Sequence, residues 1–187
     1  MTESTTHRWA LVTRRSGASP LVRIAAALLA ERVRVAGFAQ EPVEQDAERT
    51  GYELRRLESR ERRPVARRAT AEPADGECAF CSLYFDENAF AAAREWIRED
   101  AGHAEVLLID GVSKLEAAGR GHAGALREAL RHSSLVVLAV RPEQLFAIME
   151  RFDLPEPIAT LEDTSDEALA SFAAMVAAAV PRSALVA

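Results

Sequence analysis

The chain has 187 residues, the size of one domain, and is long enough to build a substantial hydrophobic core. Its apolar content of 49% and charged content of 28% are ordinary for a globular protein, and two cysteines do not make a disulfide framework. The net charge of −6 argues against nonspecific binding of nucleic acids. The sequence lacks an apolar run of about 18 residues and an N-terminal secretory pattern, so we expect a cytoplasmic protein without a membrane span.

The first forty residues predict a strand, a loop, a helix and a second strand. Residues 9–13 form a short apolar run that suits a buried strand, and a polar loop around Gly17 follows. Ser19 followed by Pro20 is typical of a helix start. Residues 33–39 then predict the second strand, so the chain opens as a βαβ unit.

The middle of the chain departs from this pattern. Two short segments between residues 50 and 70 predict an arginine-rich β-hairpin inserted after the second strand. A polar loop that contains proline and glycine follows at residues 70–77. Residues 78–85 predict one further strand, and Asp86 is placed to cap a helix that runs to about residue 99.

Regular α/β alternation returns in the last part of the chain. Residues 106–109 and 135–140 are continuous apolar runs, as expected for central strands of a parallel sheet. A glycine-rich loop over residues 111–121 leads from the first run to a helix, and residues 153–187 carry a short apolar segment and a final helix. We therefore predict a single α/β domain over residues 1–187, with a doubly wound, mostly parallel sheet and the β-hairpin as an insertion.

The single lysine of the chain is Lys114, which follows the predicted strand that ends at Asp110. In P-loop nucleoside triphosphatases such a strand delivers a carboxylate that helps to hold Mg²⁺. The same proteins need a lysine in a glycine-rich loop near the N-terminus to grip the β- and γ-phosphates. Every other basic residue here is arginine or histidine, so the architecture is indicated while its main phosphate-binding side chain is missing.

The order of these segments resembles the thermophile-type nucleoside-triphosphatase family, which has a P-loop fold. The resemblance is carried by the βα opening, residues 35–38, Gly51 with Tyr52, residues 84–86 and residues 108–116. Related uncharacterised bacterial proteins, often encoded near molybdenum-transport and nitrogenase genes, resemble the chain more closely in residues 114–116, residues 119–121 and the segment with Cys81. The resemblance implies a P-loop-NTPase-like core over residues 9–152 and leaves residues 153–187 as a C-terminal strand and helix extension.

The resemblance also implies roles for single residues. It makes Asp110 the Mg²⁺-associated acid and residues 13–21 the phosphate loop. Gly17 is kept in that loop, whereas Leu21 stands where the family has a Mg²⁺-binding hydroxyl and Gly111 where it has a water-orienting Glu. The alternative for Asp110, which the lack of a hydroxyl at Leu21 favours, is that it caps the turn after its strand. Loss of one donor from a comparable site costs about 10²–10³ in rate. We therefore expect a degenerate phosphate loop, without efficient hydrolysis of ATP or GTP.

The candidate ligand-binding residues lie in two loops. They are Arg14, Arg15, Ser16, Gly17 and Ser19 in the first loop, and Gly111, Lys114, Glu116 and Arg120 in the second. Ligands of α/β folds bind at the carboxyl ends of parallel strands, and helix N-termini attract anions. The expected ligand is a nucleotide, ATP or GTP with Mg²⁺, or an oxyanion such as molybdate. The alternative is a pair of solvated loops whose charges pair with each other.

Two further features have weaker functional interpretations. Cys78 and Cys81 form a CxxC pair, which as a metal site needs two more ligands or a second copy in a homodimer, so we favour packing. The arginine-rich hairpin also carries glutamates, which predicts a salt-bridged, solvated ribbon, with a surface for RNA or an acidic protein partner as the alternative. The histidines, His122 among them, are expected on loops or at exposed helix ends.

These observations support three hypotheses of function. The leading one is a nucleotide- or oxyanion-binding accessory protein without efficient hydrolysis, for which the resemblance implies a setting in molybdenum metabolism. The second is a weak Mg²⁺-dependent nucleoside triphosphatase in which Arg14 or Arg15 replaces the lysine, since arginine is a good phosphate ligand. The third is a pseudoenzyme that binds a protein partner through the arginine-rich hairpin.

Overall fold

The computed structural model describes residues 7–14, 17–132 and 134–180, which form one nine-stranded mixed sheet with helices on both faces. The strands are β1 (Trp9–Thr13), β2 (Val35–Gln45), β3 (Glu48–Arg56), β4 (Arg62–Arg68), β5 (Glu77–Phe80), β6 (Leu83–Asp86), β7 (Val106–Val112), β8 (Leu135–Val140) and β9 (Thr160–Leu161). The helices are α1 (Leu21–Ala30), α2 (Glu87–Asp100), α3 (Lys114–Ala117), α4 (Ala123–Leu130), α5 (Leu145–Phe152) and α6 (Asp166–Ala179). A short 3₁₀ helix, Pro142–Gln144, precedes α5.

The strand order across the sheet is β5-β6-β4-β3-β2-β7-β8-β1-β9. Strands β2, β7, β8, β1 and β9 pair in parallel, which confirms the predicted α/β class and its parallel core. Strands β2 to β6 pair antiparallel. The predicted hairpin of β3 and β4 is therefore part of a larger antiparallel half, which extends the sheet beyond β2.

The central strands are apolar throughout because both of their faces are covered. Successive residues of a strand point to opposite faces of a sheet. In β7, Leu107 and Ile109 pack in the core that contains α2 and α4, whereas Val106 and Leu108 pack in the core that contains α1 and α6. A strand buried on both faces has a continuous apolar run, which is why the sequence located β7 and β8.

The prediction of a single strand over residues 78–85 is wrong. This segment forms β5 and β6, which pair antiparallel around a turn in which Cys81 has a φ of 54°. Asp86 then caps α2 as predicted, because its carboxylate accepts a hydrogen bond from the Asn88 N–H at 2.8 Å. The β5–β6 hairpin is the antiparallel edge of the sheet.

Two other segments are more regular than the sequence suggested. The predicted loop over residues 111–121 contains the end of β7 and the short helix α3. In the predicted C-terminal extension, β9 pairs in parallel with β1 and α6 packs beside α1, so both belong to the sheet and its core. Within the described ranges, none of the helices combines the length and apolar character that a bilayer crossing requires.

Candidate functional site

A cavity of about 630 Å³ opens at the carboxyl edge of the parallel strands. Its polar lining consists of Arg14, Gly17, Gln40, Gly111, Ser113, Lys114, Glu116, His122, Arg141, Glu143 and Gln144. Cavities of this size are typical of small-molecule sites, and this edge of an α/β sheet is where ligands bind. The sheet therefore places one candidate site where β1, β7 and β8 end, next to Gln40 in the middle of β2.

Arg14 and Asp110 form a buried ion pair beneath this cavity. Arg14 follows β1 and donates from Nη1 to Asp110 Oδ1, and Asp110 is fully buried in β7. The same carboxylate accepts hydrogen bonds from the backbone N–H of Gly111 at 2.7 Å and of Gln40 at 2.8 Å. Three donors thus hold the two carboxylate oxygens, and the described cavity lining does not include Asp110.

The guanidinium of Arg14 also ties the first loop to β2. Its Nη2 donates to the backbone oxygens of Gln40 at 3.0 Å and of Gly17 at 3.3 Å. The Arg14 side chain is only 10% exposed, yet it lines the cavity. Arginine has five N–H donors; three serve Asp110, Gln40 and Gly17, which leaves two for a ligand.

Glu116 is a buried carboxylate held by backbone donors. Its Oε2 accepts from the N–H of Ser113 at 2.8 Å, and its Oε1 accepts from the N–H of His122 at 2.7 Å. Burial raises the pKa of Glu116 to about 7, although these two hydrogen bonds act in the opposite direction. The carboxylate therefore joins the start of α3 to the start of α4 and titrates near neutral pH.

His122 is also buried, so the expectation of an exposed histidine is wrong at this position. Its ring lies 4.7 Å from the Phe38 ring and 4.8 Å from the Phe90 ring, between centroids. Its Nε2 is 3.4 Å from Gln40 Oε1, and its Nδ1 finds no hydrogen-bond partner among the described residues. Burial lowers the pKa of His122 to about 3, so the imidazole is neutral at physiological pH.

The antiparallel half of the sheet and α2 supply an apolar wall to the cavity, which consists of Tyr52, Phe80, Leu83, Phe85 and Phe90. The Phe85 and Phe90 rings stack with centroids 5.8 Å apart, and Phe80 meets Phe85 edge-on at 6.5 Å. Lys114 and Arg141 are exposed cations that line the same cavity. A ligand that uses the whole cavity must combine a flat apolar part with an anionic part.

The N-terminus of α1 offers few donors to an anion. Pro20 has no N–H, and the N–H of Leu21 donates to Ser19 Oγ at 3.2 Å. Leu21 is fully buried in the core shared with α6. The described cavity lining contains none of these three residues. Ser19 was predicted as a ligand residue, and its hydroxyl instead satisfies the start of α1.

The structure brings together five of the predicted ligand residues, which all line the cavity: Arg14, Gly17, Gly111, Lys114 and Glu116. Arg120 is exposed and lies outside the described lining. Arg15 and Ser16 lie outside the described residues. The two predicted loops therefore do meet at one site, although not with every predicted side chain.

Sequence reasoning missed Gln40, His122, Arg141 and the apolar wall. Gln40 and Arg141 each come directly after an apolar run, as Arg14 does after β1, so their position was a usable signal. His122 and the wall had no such local signal. The wall comes from β3, β5, β6 and α2, which meet only in the folded sheet.

Among the described residues, the CxxC pair does not belong to a group of three or more metal-ligating side chains. Cys78 is half-buried on β5 and Cys81 is exposed in the next turn. Burial raises the pKa of the Cys78 thiol, the opposite of what a reactive thiolate needs. Within the described residues, the metal-ligating side chains that approach one another in a group of three are Glu58, Asp100 and His103. Asp100 is already paired with Arg56.

The arginine-rich hairpin forms the salt-bridged ribbon that its interleaved charges predict. Its ion pairs include Arg62 with Glu41 at 3.1 Å, Arg67 with Glu77 at 2.6 Å and Arg68 with Glu48 at 2.8 Å. These pairs lie at the surface, where solvent screens the charges, so each adds little to the stability of the fold.

Comparisons with known proteins identify the family and the fold of this chain. A sequence profile of a family described as NTPase matches residues 13–166. The solution structure of a human cancer-related nucleoside triphosphatase aligns with 92% of this chain and 96% of its own, with 22% identity and a TM-score of 0.64. At that identity the likeness shows the fold. Among curated protein sequences there is no match.

Proposed function

This chain belongs to the NTPase family, and we propose that it binds a nucleoside tri- or diphosphate in the cavity without hydrolysing it efficiently. The observation that carries the proposal is that one cavity joins an apolar wall to three cations, Arg14, Lys114 and Arg141. Stacking of a base on aromatic side chains contributes about 1–3 kcal/mol. Phosphate oxygens form charge-assisted hydrogen bonds with arginine and lysine.

A nucleotide accounts for more of the cavity than a simple oxyanion does. Molybdate would contact the cations and leave the apolar wall in contact with water. The cavity volume of about 630 Å³ suits a larger ligand. The proposed setting in molybdenum metabolism rests on the resemblance of short motifs. Binding of molybdate is therefore measured together with binding of the nucleotides.

The proposed lack of efficient hydrolysis rests on the groups that surround the phosphates. The first loop contains no lysine, and Lys114 comes from α3. Gly111 has no side chain with which to orient water, and Leu21 offers no hydroxyl. Catalysis of phosphoryl transfer consists of positioning and charge stabilisation, so a site without these groups is expected to bind its nucleotide and turn it over slowly.

The direct test is a panel of ligands measured by thermal shift and calorimetry. ATP, GTP and their diphosphates are expected to stabilise the protein, by about 2.7 kcal/mol at 100 times the dissociation constant. Molybdate, tungstate and sulfate are expected to have little effect, and phosphate release from ATP should stay at the background rate. Mg²⁺-dependent phosphate release would favour the weak triphosphatase. If none of the nucleotides stabilises the protein or binds by calorimetry, nucleotide binding is contradicted and the protein-binding pseudoenzyme is favoured.

A change in the apolar wall should separate the base from the phosphates. Phe85→Ala removes a ring that lines the cavity, and we expect ATP affinity to fall about 5- to 100-fold, as one stacked base is worth about 1–3 kcal/mol. Affinity for inorganic tripolyphosphate should not change. Tyr84→Ala is the matched control, because Tyr84 is the adjacent residue of β6 and does not belong to the described cavity lining. Equal losses in the two variants would contradict base stacking on this wall.

A further inference from the structure

We infer that the guanidinium of Arg14 takes the place of Mg²⁺ in this site, so that the chain binds nucleoside polyphosphates as metal-free anions. The inference deepens the proposed function and rests on it. It concerns the form of the ligand, because nucleotides in cells are largely Mg²⁺ complexes and most P-loop proteins bind them in that form.

The residues at the end of β7 do not fit Mg²⁺. The ion prefers six oxygen ligands in near-ideal octahedral geometry. Asp110 is fully buried, and its two oxygens already accept hydrogen bonds from Arg14, Gln40 and Gly111. Leu21, where the family resemblance implies a hydroxyl ligand, is buried in the hydrophobic core. The strand-end acid therefore presents no free oxygen towards the cavity.

The other carboxylates of the cavity do not replace Asp110. Glu116 is buried, and each of its oxygens accepts a hydrogen bond from the backbone, of Ser113 and of His122. Glu143 is exposed in the 3₁₀ helix and is a single ligand near Arg141 in the chain. Nucleotide-bound Mg²⁺ is usually held by one or two carboxylates besides phosphates and waters, and Glu143 is the one exposed carboxylate of the described cavity lining.

Arg14 already supplies a fixed positive charge at the corresponding place. Its position is set by hydrogen bonds to Asp110, Gln40 and Gly17, which come from three different segments of the chain. The Asp110 carboxylate offsets the cost of burying the Arg14 guanidinium, and Arg14 lines the cavity with two N–H groups beyond the three that bond to Asp110, Gln40 and Gly17. A Mg²⁺ ion carried in by the nucleotide would have to share the phosphate oxygens with Arg14, Lys114 and Arg141, which line the same cavity.

The test compares ATP binding by the wild-type protein in excess EDTA and in excess MgCl₂, by calorimetry at constant ionic strength. We expect binding in EDTA that is as tight as in Mg²⁺ or several-fold tighter. Binding that is lost in EDTA would overturn the inference and leave the proposed nucleotide function intact. Absence of ATP binding in both conditions would overturn the proposed function and the inference with it.

A variant pair then tests the role of Arg14 itself. The double variant Arg14→Met with Asp110→Asn removes both charges, and we expect affinity for metal-free ATP to fall about 10- to 100-fold, as hydrogen bonds to charged groups are lost. Arg23→Met is the control, because Arg23 is an exposed arginine of α1 that pairs with Asp166. Wild-type affinity for metal-free ATP in the double variant would overturn the inference.

Discussion

Arg14→Met is expected to lower the free energy of unfolding by about 3–5 kcal/mol at neutral pH. The substitution removes the guanidinium and leaves the Asp110 carboxylate fully buried beside two neutral backbone donors. An unpaired charge at such a place carries a desolvation cost that its partner had offset. Urea unfolding followed by circular dichroism measures the loss.

Two control variants distinguish the stability lost by leaving the Asp110 charge unpaired from the stability lost by removing the Arg14 side chain itself. Adding Asp110→Asn to Arg14→Met should restore part of the lost stability, because no charge remains buried and the amide oxygen accepts one of the two backbone hydrogen bonds, of Gly111 or of Gln40. Arg23→Met breaks an exposed ion pair with Asp166 and should change stability by less than about 1 kcal/mol. Equal losses in the single and double Arg14 variants would show that the ion pair is not what stabilises this region.

The same ion pair explains why the site is organised before a ligand arrives. Arg14 bonds to Gly17 in the first loop, to Gln40 in β2 and to Asp110 in β7. Strands β1, β2 and β7 are not all adjacent, since β8 lies between β7 and β1. The Arg14 side chain thus fixes the relative positions of three segments beside the cavity. Because these segments are already ordered, ligand binding loses less conformational entropy.

The parallel core was predictable because its pattern is local. Strands β7 and β8 are buried on both faces, and a continuous apolar run bounded by polar loops is enough to locate them. The polar residues of the cavity that follow the strand ends were partly predictable for the same reason. Arg14, Gly111 and Lys114 follow the ends of such runs, and parallel strands bring their carboxyl ends to one edge.

The antiparallel half was less predictable because its pattern depends on partners distant in the chain. The outer part of β2 is polar and contains Pro42, which argues against a strand when the sequence is considered by itself. Pro42 pairs across to Tyr52 in a part of β2 beyond its pairing with β7, where one edge of the strand is free and proline is tolerated. The apolar wall of the cavity, to which Tyr52 belongs, was therefore not predictable from the sequence.

The burial of Glu116 and His122 was not predictable from the sequence, although Glu116 was predicted as a ligand residue. A glutamate two residues after a lysine and a histidine after a glycine are ordinary on a solvated loop. In the fold the pair is joined by a backbone hydrogen bond of 2.7 Å and shielded from water. Their pKa values move in opposite directions, to about 7 for Glu116 and about 3 for His122, because burial favours the neutral form of both.

These opposite shifts predict compensating effects of pH on stability. The raised pKa of Glu116 gives stability that is present below pH 4.5 and lost as the pH rises through 7. The lowered pKa of His122 gives stability that is present above pH 6.5 and lost as the pH falls towards 3. Between pH 4.5 and 6.5 each group changes the free energy of unfolding by about 1.4 kcal/mol per pH unit, with opposite signs, so their sum is nearly flat.

Single substitutions should expose each contribution. In Glu116→Gln the His122 effect remains, and stability relative to wild type should fall by about 3 kcal/mol from pH 6.5 to 4.5. In His122→Gln the Glu116 effect remains, and relative stability should rise by a similar amount over the same interval. Differences from wild type at each pH cancel the titration of groups elsewhere, so urea unfolding across this range measures the pair. If the free energy of unfolding had the same pH dependence in wild type and both variants, the shifted pKa values of Glu116 and His122 would be contradicted. A group whose pKa is the same in the folded and unfolded states does not change stability with pH, so its removal would leave the profile unchanged.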